Sequence, residues 1–275
     1  MSLSAKEKRL KEIIEGYGSL VVAFSGGVDS SYLTYIAHQV LGERMLAVTA
    51  DSPTYPVHEL KEAKEFAKRW SIPHKVINSN ELDVPKFREN PEDRCYYCKR
   101  ELLASLIEIA KEEGFSFVAE GSTLDDLSDF RPGRRAISEL GVKSPLIEAG
   151  LSKEEVRNLS RKAGLSTWNK PSFACLASRF PYHHPITKEK LVMVERAEEV
   201  LRELGFRQFR VRHHQELARI ELKSEDIKRA VSPEVKRKIV KAFKEIGYHF
   251  IALDLEGYRQ GSMNEPLLRK DSKNG

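Results

Sequence analysis

Long apolar runs, cysteines and excess charge are all scarce in this sequence. The longest apolar runs, such as residues 20–24, fall far short of the ~20 residues that a helix needs to span a bilayer. Met1 leads into charged residues at 6–9 and not into the apolar core of a signal peptide. We therefore expect a cytoplasmic protein without a membrane partner. The three cysteines cannot all pair, and they are too few in 275 residues for a disulfide framework. Free thiols, a metal site and redox chemistry stay open as alternatives.

The length and the apolar content predict two folded domains. A chain of 275 residues is long for one minimal domain and short for three, so we expect one large domain and one small one. Hydrophobic residues make up 40% of the chain. That is enough to bury a core, which excludes global disorder.

The net charge of +5 lies entirely in the last third of the chain. Residues 1–180 carry 26 basic and 26 acidic side chains, whereas residues 181–275 carry 20 and 15. The basic residues at 236–244 fall where a helix would present a solvated face, so the excess is either a helix surface or a site for an anionic ligand. Charge alone does not decide between a small phosphate and RNA.

Short β-branched runs alternate with longer helical patterns through the first two thirds of the chain. They predict strands at 19–24, 44–49, 74–77 and 115–119 and helices at 30–40, 57–70 and 100–111. This alternation is typical of an α/β fold with a parallel sheet, helices on both faces and ligands at the carboxyl ends of the strands. A capping box at residues 152–155 predicts a further helix that ends near Gly164.

The regular pattern breaks between residues 167 and 185, where three prolines and Cys175 indicate a loop. Beyond this loop we predict a small α+β domain, with helices at 188–204 and from 232 and strands at 208–212, 218–222 and 250–255. The expected organisation is a large α/β domain at 1–168, a cysteine-containing linker at 169–186 and the α+β domain at 187–275.

The segment Ser25-Gly26-Gly27-Val28-Asp29-Ser30 follows a predicted buried strand and opens a predicted helix. Its two glycines allow positive φ and close approach of a ligand, its exposed amides form an anion nest, and the helix dipole adds to the attraction. It is neither a Walker A loop nor a dinucleotide fingerprint. Asp29 would repel a phosphate unless a divalent cation lay between them, which favours Mg²⁺. The alternative is a plain glycine turn with a helix capped by Asp29.

This motif resembles the PP-loop of ATP pyrophosphatases, which split ATP between its α and β phosphates. The resemblance implies a domain of the adenine nucleotide alpha hydrolase type that adenylates a substrate oxygen. It also implies that residues after the second and fourth strands line the same pocket. The ATP-binding residues so expected are Ser25, Gly26, Gly27, Asp29, Ser30, Asp51, Ser52, Gly121, Asp125 and Asp126. For Asp125 and Asp126 a helix N-cap is an equal alternative.

The cysteines suggest a second kind of chemistry. Cys95 and Cys98 form a C-x-x-C motif, which zinc knuckles, redox pairs and iron-sulfur sites all use. A thioredoxin-like role is disfavoured, because the pair lies between a Pro-rich stretch and a helix without the adjoining strand. Cys175 is flanked by Phe, Ala and Leu, so a small buried hydrophobe is its alternative.

Several further motifs identify a closer family resemblance. They are Glu120-Gly121, Asp125-Asp126, Phe130-Arg131-Pro132-Gly133, Ser144-Pro145-Leu146, the segment 171–179, the segment 209–214 and Gly257-Tyr258-Arg259. Together, from about residue 10 to Asn264, they closely resemble the LarE family of ATP-dependent sulfur transferases, which make the nickel-pincer nucleotide of lactate racemase. The resemblance implies adenylation of the carboxylates of pyridinium-3,5-biscarboxylic acid mononucleotide and replacement of an oxygen of each by sulfur. It also implies a homo-oligomer.

The resemblance aligns Cys175 with the family's sulfur-bearing cysteine. In members with that cysteine alone, its sulfur is surrendered and dehydroalanine remains. Because Cys95 and Cys98 are also present, this chain resembles the branch in which three cysteines hold a [4Fe-4S] cluster that carries a replaceable sulfide. Sacrifice of Cys175 is the alternative, and the sulfur donor stays unidentified.

Arg210 and Arg212 alternate along a predicted strand and would point to one face, where with Arg259 they could grip the substrate phosphate. An ordinary salt-bridged sheet face is the alternative. Glu221, on the neighbouring predicted strand, is expected to be a base or a charge partner. For His213 and His214 a turn position explains the residues as well as catalysis does.

Three rival functions remain open on the residues alone. A tRNA thiolase would also pair a PP-loop with cysteines, but a charge of +5 is modest and aromatic platforms are not grouped in the basic third, which disfavours nucleic acid. An enzyme like NAD synthetase would use ammonia as the nucleophile. A nucleotide-binding module without activity would leave the cysteines unexplained.

Overall fold

The computed structural model describes residues 1–127, 132–171, 174–259 and 262. The strands are β1 (Leu20–Ala23), β2 (Met45–Asp51), β3 (His74–Asn78), β4 (Phe117–Ala119), β5 (Phe209–His214), β6 (Leu217–Leu222) and β7 (Phe250–Leu253). The helices are α1 (Leu3–Tyr17), α2 (Val28–Leu41), α3 (Val57–Arg69), α4 (Pro85–Arg88), α5 (Arg94–Glu112), α6 (Gly133–Glu139), α7 (Pro145–Glu148), α8 (Lys153–Lys162), α9 (Lys188–Glu203), α10 (Ser224–Ala230) and α11 (Pro233–Ile246).

The chain forms two compact units. Met1–Val84 and Asp93–Phe173 make up the first, and Pro85–Glu92 and Ala174–Gly275 make up the second. The segment that contains α4 thus belongs with the C-terminal part of the chain, which the sequence pattern does not indicate.

The first unit is built on a parallel sheet with strand order β3-β2-β1-β4. Val21 of β1 pairs with Leu46 on one side and with Val118 on the other. The chain passes from β1 through β2 to β3 on one side and continues at β4 on the other side. The carboxyl end of β1 is therefore a switch point, where α/β sheets bind their ligands.

Helices cover both faces of this sheet, because successive side chains of a strand point in opposite directions. Leu20 and Val22 join a core with residues of α1, α2, α3 and α8. Val21 joins a second core with residues of α5 and α6. The expected α/β fold is confirmed. The apolar pattern did not predict α1, which begins after Ser2, whose Oγ accepts a hydrogen bond from the Ala5 amide.

Two helices begin earlier than the sequence pattern predicts. Helix α2 starts at Val28 and not at residue 30, and α5 starts at Arg94 and not at residue 100. The first turns of both helices contain polar residues, which give no apolar periodicity, and helix ends are the hardest part to place. The capping box of α8 is confirmed, since Ser152 and Glu155 exchange backbone-to-side-chain hydrogen bonds.

The second unit has a three-stranded sheet with order β5-β6-β7. Strands β5 and β6 are antiparallel, β6 and β7 are parallel, and α9 and α11 supply apolar residues to the core. The expected small α+β arrangement is confirmed, with α10 added to it. Within the described part of the chain, no helix combines the length and apolarity that crossing a membrane requires.

Candidate active site

The loop between β1 and α2 is shaped for close approach of a ligand. Gly26 has a φ of +62°, and a Cβ at this position would lie 3.3 Å from the Ala63 Cβ of α3. Only glycine takes this conformation without strain. Ser25 Oγ and Ser30 Oγ lie 3.0 Å apart, and Ser30 Oγ also accepts from the Ser25 amide at 3.3 Å. Both hydroxyls thus lie at the amino-terminal end of α2, where a phosphate would be attracted.

Asp29 lies in the first turn of α2, and one of its oxygens has no partner among the described residues. Its Oδ1 is buried and accepts no hydrogen bond from any described residue. Its Oδ2 lies 3.6 Å from Lys153 Nζ. Burial raises the pKa of the Asp29 carboxyl, and the charge of Lys153 opposes this rise. A buried carboxylate oxygen without a donor is suited to a divalent cation, so the loop fits Mg²⁺.

Gly121 brings the end of β4 against this loop. A Cβ on Gly121 would lie 2.9 Å from the backbone nitrogen of Ser30 and 3.2 Å from the carbonyl carbon of Asp29. The position therefore requires glycine, because the clash would be with backbone that cannot move aside. The structure thus places Gly121 beside the nucleotide loop, in whose pocket the PP-loop resemblance implied it would lie.

Asp51 and Ser52 lie at the carboxyl end of β2. Asp51 is exposed, whereas Ser52 is buried and its Oγ lies 3.1 Å from Thr54 Oγ1. Asp126 is buried and accepts from the Thr123 amide at 2.8 Å. Asp125 accepts at 2.7 Å from the amide of Lys153, the first residue of α8. Neither residue is itself an N-cap, because both lie inside the 3-10 turn Leu124–Leu127 and the N-cap of α8 is Ser152.

Two lysines that the sequence did not single out lie against the nucleotide loop. Lys153 faces Asp29, and Lys170 donates from Nζ to the carbonyl oxygen of Gly26 at 3.2 Å. Lys170 also pairs with Glu59 and Glu62, both at 2.6 Å. Burial would raise the pKa of Glu59, but His58 and Lys170 lower it overall. Neither lysine belongs to a sequence motif, so only the tertiary structure shows that both lie against the nucleotide loop.

Cys95 and Cys98 lie near the start of α5, three residues apart and hence on one helix face. Cys95 is exposed and Cys98 is half-buried. Cys98 Sγ donates to Glu81 Oε1 at 3.8 Å. Glu81 is buried, which raises the pKa of its carboxyl. The two thiols suit two ligand positions of a metal centre.

A complete metal centre is not present among the described residues. In residues 1–127, 132–171, 174–259 and 262, no three His, Cys, Asp or Glu side chains are grouped so that they could hold a metal ion. Cys175 belongs to the second unit, where it is half-buried and precedes the short 3-10 turn Leu176–Arg179.

Arg210 and Arg212 are both buried on β5. Arg212 binds Glu221 through Nε at 2.9 Å and Nη2 at 2.7 Å, and its Nη1 donates to the Ser178 carbonyl oxygen at 2.9 Å. Glu221 is fully buried and also accepts from Arg219 at 3.0 Å. Of the two roles expected for Glu221, these contacts favour the charge partner, since its oxygens are occupied by guanidinium groups.

Arg210 packs over the ring of Tyr258, with 5.1 Å between the guanidinium carbon and the ring centroid. Burial, together with the charge of Arg179, lowers the pKa of Arg210 to about 10. Arg259 forms an ion pair with Glu256. An arginine held in a dry site binds an anion more strongly than one in water, because the local dielectric is low.

His213 lies between Phe180 and Tyr248, and its Nδ1 is 3.2 Å from the Tyr248 hydroxyl. It is a buried strand residue and not a turn residue. His214, the last residue of β5, is half-buried. Phe130, Arg131, Ser172 and Phe173 of the family motifs, and Asn264, lie outside the described residues.

Comparison of the sequence with known proteins identifies the family of this chain. A family model described as NAD synthase matches residues 3–94, which include the nucleotide loop. The pyridinium-3,5-bisthiocarboxylic acid mononucleotide synthase of Lactiplantibacillus plantarum is 34% identical over 98% of this chain and 97% of that protein. The chain belongs to the LarE family.

Other relatives extend the comparison. An uncharacterized protein of Synechocystis is 43% identical over 96% of this chain and 99% of its own length. One component of the glutamine-hydrolyzing GMP synthase of Archaeoglobus fulgidus is 26% identical over 72% of this chain and 69% of its own length. Membership of the LarE family confirms the expected enzyme class, an ATP-using sulfurtransferase of the PP-loop superfamily.

Proposed function

We propose that this LarE-family enzyme converts the carboxylates of pyridinium-3,5-biscarboxylic acid mononucleotide into thiocarboxylates for the nickel-pincer cofactor of lactate racemase. The observation that carries the proposal is the near full-length similarity to a pyridinium-3,5-bisthiocarboxylic acid mononucleotide synthase. Residues 1–168 would bind ATP, residues 187–275 the substrate, and the linker 169–186 would present Cys175.

The nucleotide loop would activate the substrate. A carboxylate is a poor electrophile until it becomes an acyl adenylate. The Ser25 and Ser30 hydroxyls and the loop amides would bind the phosphates of ATP, and Asp29 would hold Mg²⁺, which supplies charge neutralisation when bound. A carboxylate oxygen of the substrate then attacks the α-phosphorus, and pyrophosphate leaves with the electrons of the broken P–O bond. The assignment is supported by Oδ1 of Asp29, which is buried and accepts no hydrogen bond from the residues that the structure describes.

Sulfur would replace AMP in the second step. The sulfur nucleophile attacks the acyl carbon, and AMP departs with one of the original carboxylate oxygens. We propose that Cys95, Cys98 and Cys175 hold a [4Fe-4S] cluster, which would supply a replaceable sulfide. The placement of two thiols on one helix face supports this arrangement. The alternative is attack by the Cys175 thiolate, loss of its Cα proton and cleavage of its Cβ–S bond, which leaves dehydroalanine.

The phosphate of the substrate would bind to Arg210, Arg212 and Arg259. Arg212 already donates one N–H from Nε, one from Nη1 and two from Nη2. Because a guanidinium has five N–H groups, these contacts with described residues leave one for a phosphate oxygen.

The test is a complete reaction under anaerobic conditions with ATP, Mg²⁺, sulfide and the biscarboxylate mononucleotide. We expect pyrophosphate and AMP in equal amounts and a product whose mass shows oxygen replaced by sulfur. The same assay with tRNA or with ammonia serves as the control. Thiolation of tRNA, or an amide product formed with ammonia, would contradict the proposed substrate or the proposed nucleophile.

A further inference from the structure

Arg179 is a fully buried arginine that connects the backbone at Cys175 to helix α9. Its Nε and Nη2 donate to Glu198 Oε1 and Oε2, each at 2.8 Å. Its Nη1, which carries two N–H groups, lies within hydrogen-bond distance of three acceptors: the carbonyl oxygens of Ala174 and Cys175 and the Ser178 Oγ. Two nitrogens of the guanidinium thus bind the carboxylate of Glu198, and the third binds the cysteine segment.

These contacts define the geometry of Cys175 itself. The two carbonyl groups belong to the peptide units on either side of the Cys175 Cα atom. Because peptide units are planar, holding both of them fixes the backbone dihedrals of Cys175, which are −53° for φ and 154° for ψ. The direction of its Cα–Cβ bond follows. The thiol keeps only rotation about χ1, among three staggered positions.

The same ion pair connects the cysteine segment to strand β5. Glu198 Oε1 accepts a second hydrogen bond from the backbone amide of Val211, at 3.0 Å. Val211 lies between the two arginines to which we assign the substrate phosphate. Arg212 adds a direct contact, since its Nη1 donates to the Ser178 carbonyl oxygen. The cysteine and the phosphate-binding strand are therefore linked by two independent sets of hydrogen bonds within one unit.

We propose that Arg179 is a positioning residue for sulfur transfer, which, with Glu198, holds the Cys175 backbone at a fixed place relative to the arginines of β5. A substrate whose phosphate binds on β5 would then present its acyl carbon to a sulfur held at a defined distance. Geometric precision matters, because a displacement of about 1 Å can cost ~100-fold in rate. This inference rests on the proposed function, since it gives Cys175 a role in sulfur transfer and β5 a role in phosphate binding.

The first variant is Arg179→Lys, which keeps the positive charge and loses the planar fork of donors. We expect thiocarboxylate formation to slow by ~10–100-fold, while substrate-dependent release of pyrophosphate stays within about twofold of wild type. Hydrogen exchange should show that the segment around Cys175 has loosened. The amides of residues 175–178 should exchange about tenfold faster than in wild type, and the exchange of the β6 amides should be unchanged. Arg196→Lys, an exposed arginine of α9, is the matched control and should change neither quantity.

Glu198→Gln is the second variant, because a lysine in the buried site could destabilise the unit. It keeps the size of the side chain and the Oε1 acceptor but removes the charge that orients Arg179. We expect the same separation of sulfur transfer from pyrophosphate release. Sulfur transfer within about twofold of wild type in a folded variant, or a parallel loss of both steps, would overturn the proposal.

The hydrogen-exchange measurement separates this inference from the proposed function. If the wild-type protein forms no thiocarboxylate, the proposed function fails, whatever the variants do. Faster exchange confined to residues 175–178 would still support the positioning of this segment by Arg179. Unchanged exchange in a folded Arg179→Lys protein would overturn it.

Discussion

Asp29 and Lys153 lie far apart in the sequence, yet the Lys153 ammonium is 3.6 Å from Asp29 Oδ2. The contact forms because α2 and α8 pack in the same core of the first unit. Lys153 partly offsets the charge of the carboxylate, while the other oxygen of Asp29 has no donor among the described residues. The nucleotide loop thus contains an acid with one oxygen paired and one available for a cation.

Changing Asp29 to Asn should slow substrate-dependent pyrophosphate release by at least ~100-fold, because the amide cannot replace the charged oxygen that would hold Mg²⁺. Pyrophosphate formed per enzyme is the measurement, across a range of Mg²⁺ concentrations. Thermal stability should not fall, because burial already penalises the charged carboxylate at this position.

Asp83→Asn provides the control, since Asp83 is an exposed acid of the same unit. Its pyrophosphate release should match that of wild type. Activity of Asp29→Asn within about twofold of wild type would rule out the assigned role of the loop.

Arg210 and Arg212 should respond differently to replacement by Ala. Loss of Arg210 should weaken binding of the mononucleotide substrate by ~1.5–3 kcal/mol, the range for hydrogen bonds to a charged group, and leave ATP binding unchanged. Loss of Arg212 should also lower the free energy of unfolding, by ~1–3 kcal/mol, because Glu221 would remain buried with Arg219 as its remaining cation. Calorimetric titration and urea unfolding measure the two effects. Equal losses of ATP and substrate affinity in Arg210→Ala would contradict the assignment.

The cysteine variants distinguish the two sulfur mechanisms. If three thiolates hold a cluster, Cys95→Ala and Cys98→Ala should each lose iron and repeated turnover, since two ligands make a labile site. If Cys175 is sacrificed, both variants should still complete one turnover, and the mass of Cys175 should fall by that of hydrogen sulfide. Iron analysis and intact-protein mass after anaerobic reconstitution decide between them. A colourless protein with dehydroalanine at residue 175 would contradict the cluster.

Acid should destabilise the second unit through His213. Burial, with Lys190, His214 and His184 nearby, lowers the pKa of His213 to about 4, whereas an unfolded histidine titrates near 6.5. Between these values the unfolded state binds more protons, so stability is fully present above pH ~6.5 and is lost as the pH falls towards 4. Urea unfolding at several pH values should show this slope.

His213→Gln should flatten the slope, while His249→Gln, at an exposed site of the same unit, should keep it. An unchanged slope in His213→Gln would show that another group titrates.

The sequence by itself determined the local features of this protein. The strand-glycine-helix pattern at residues 20–30 was sufficient to predict the phosphate loop, because glycine, small hydroxyls and a helix start act over a few neighbouring residues. Apolar periodicity was sufficient to predict the sheet strands and the α/β fold. The family motifs, whose residues are contiguous, predicted the enzyme class.

Only the tertiary structure decided which side chains meet across the chain. Asp29 pairs with Lys153 because α2 and α8 pack together, and Glu198 pairs with Arg179 because α9 packs against the 3-10 turn Leu176–Arg179. No spacing in the sequence encodes such contacts. The start of α5 at Arg94 places Cys95 and Cys98 on one helix face. Burial decided which charged side chains form ion pairs. A guanidinium or a carboxylate that is removed from water needs a partner of opposite charge, and the fold alone determines which partner is within reach.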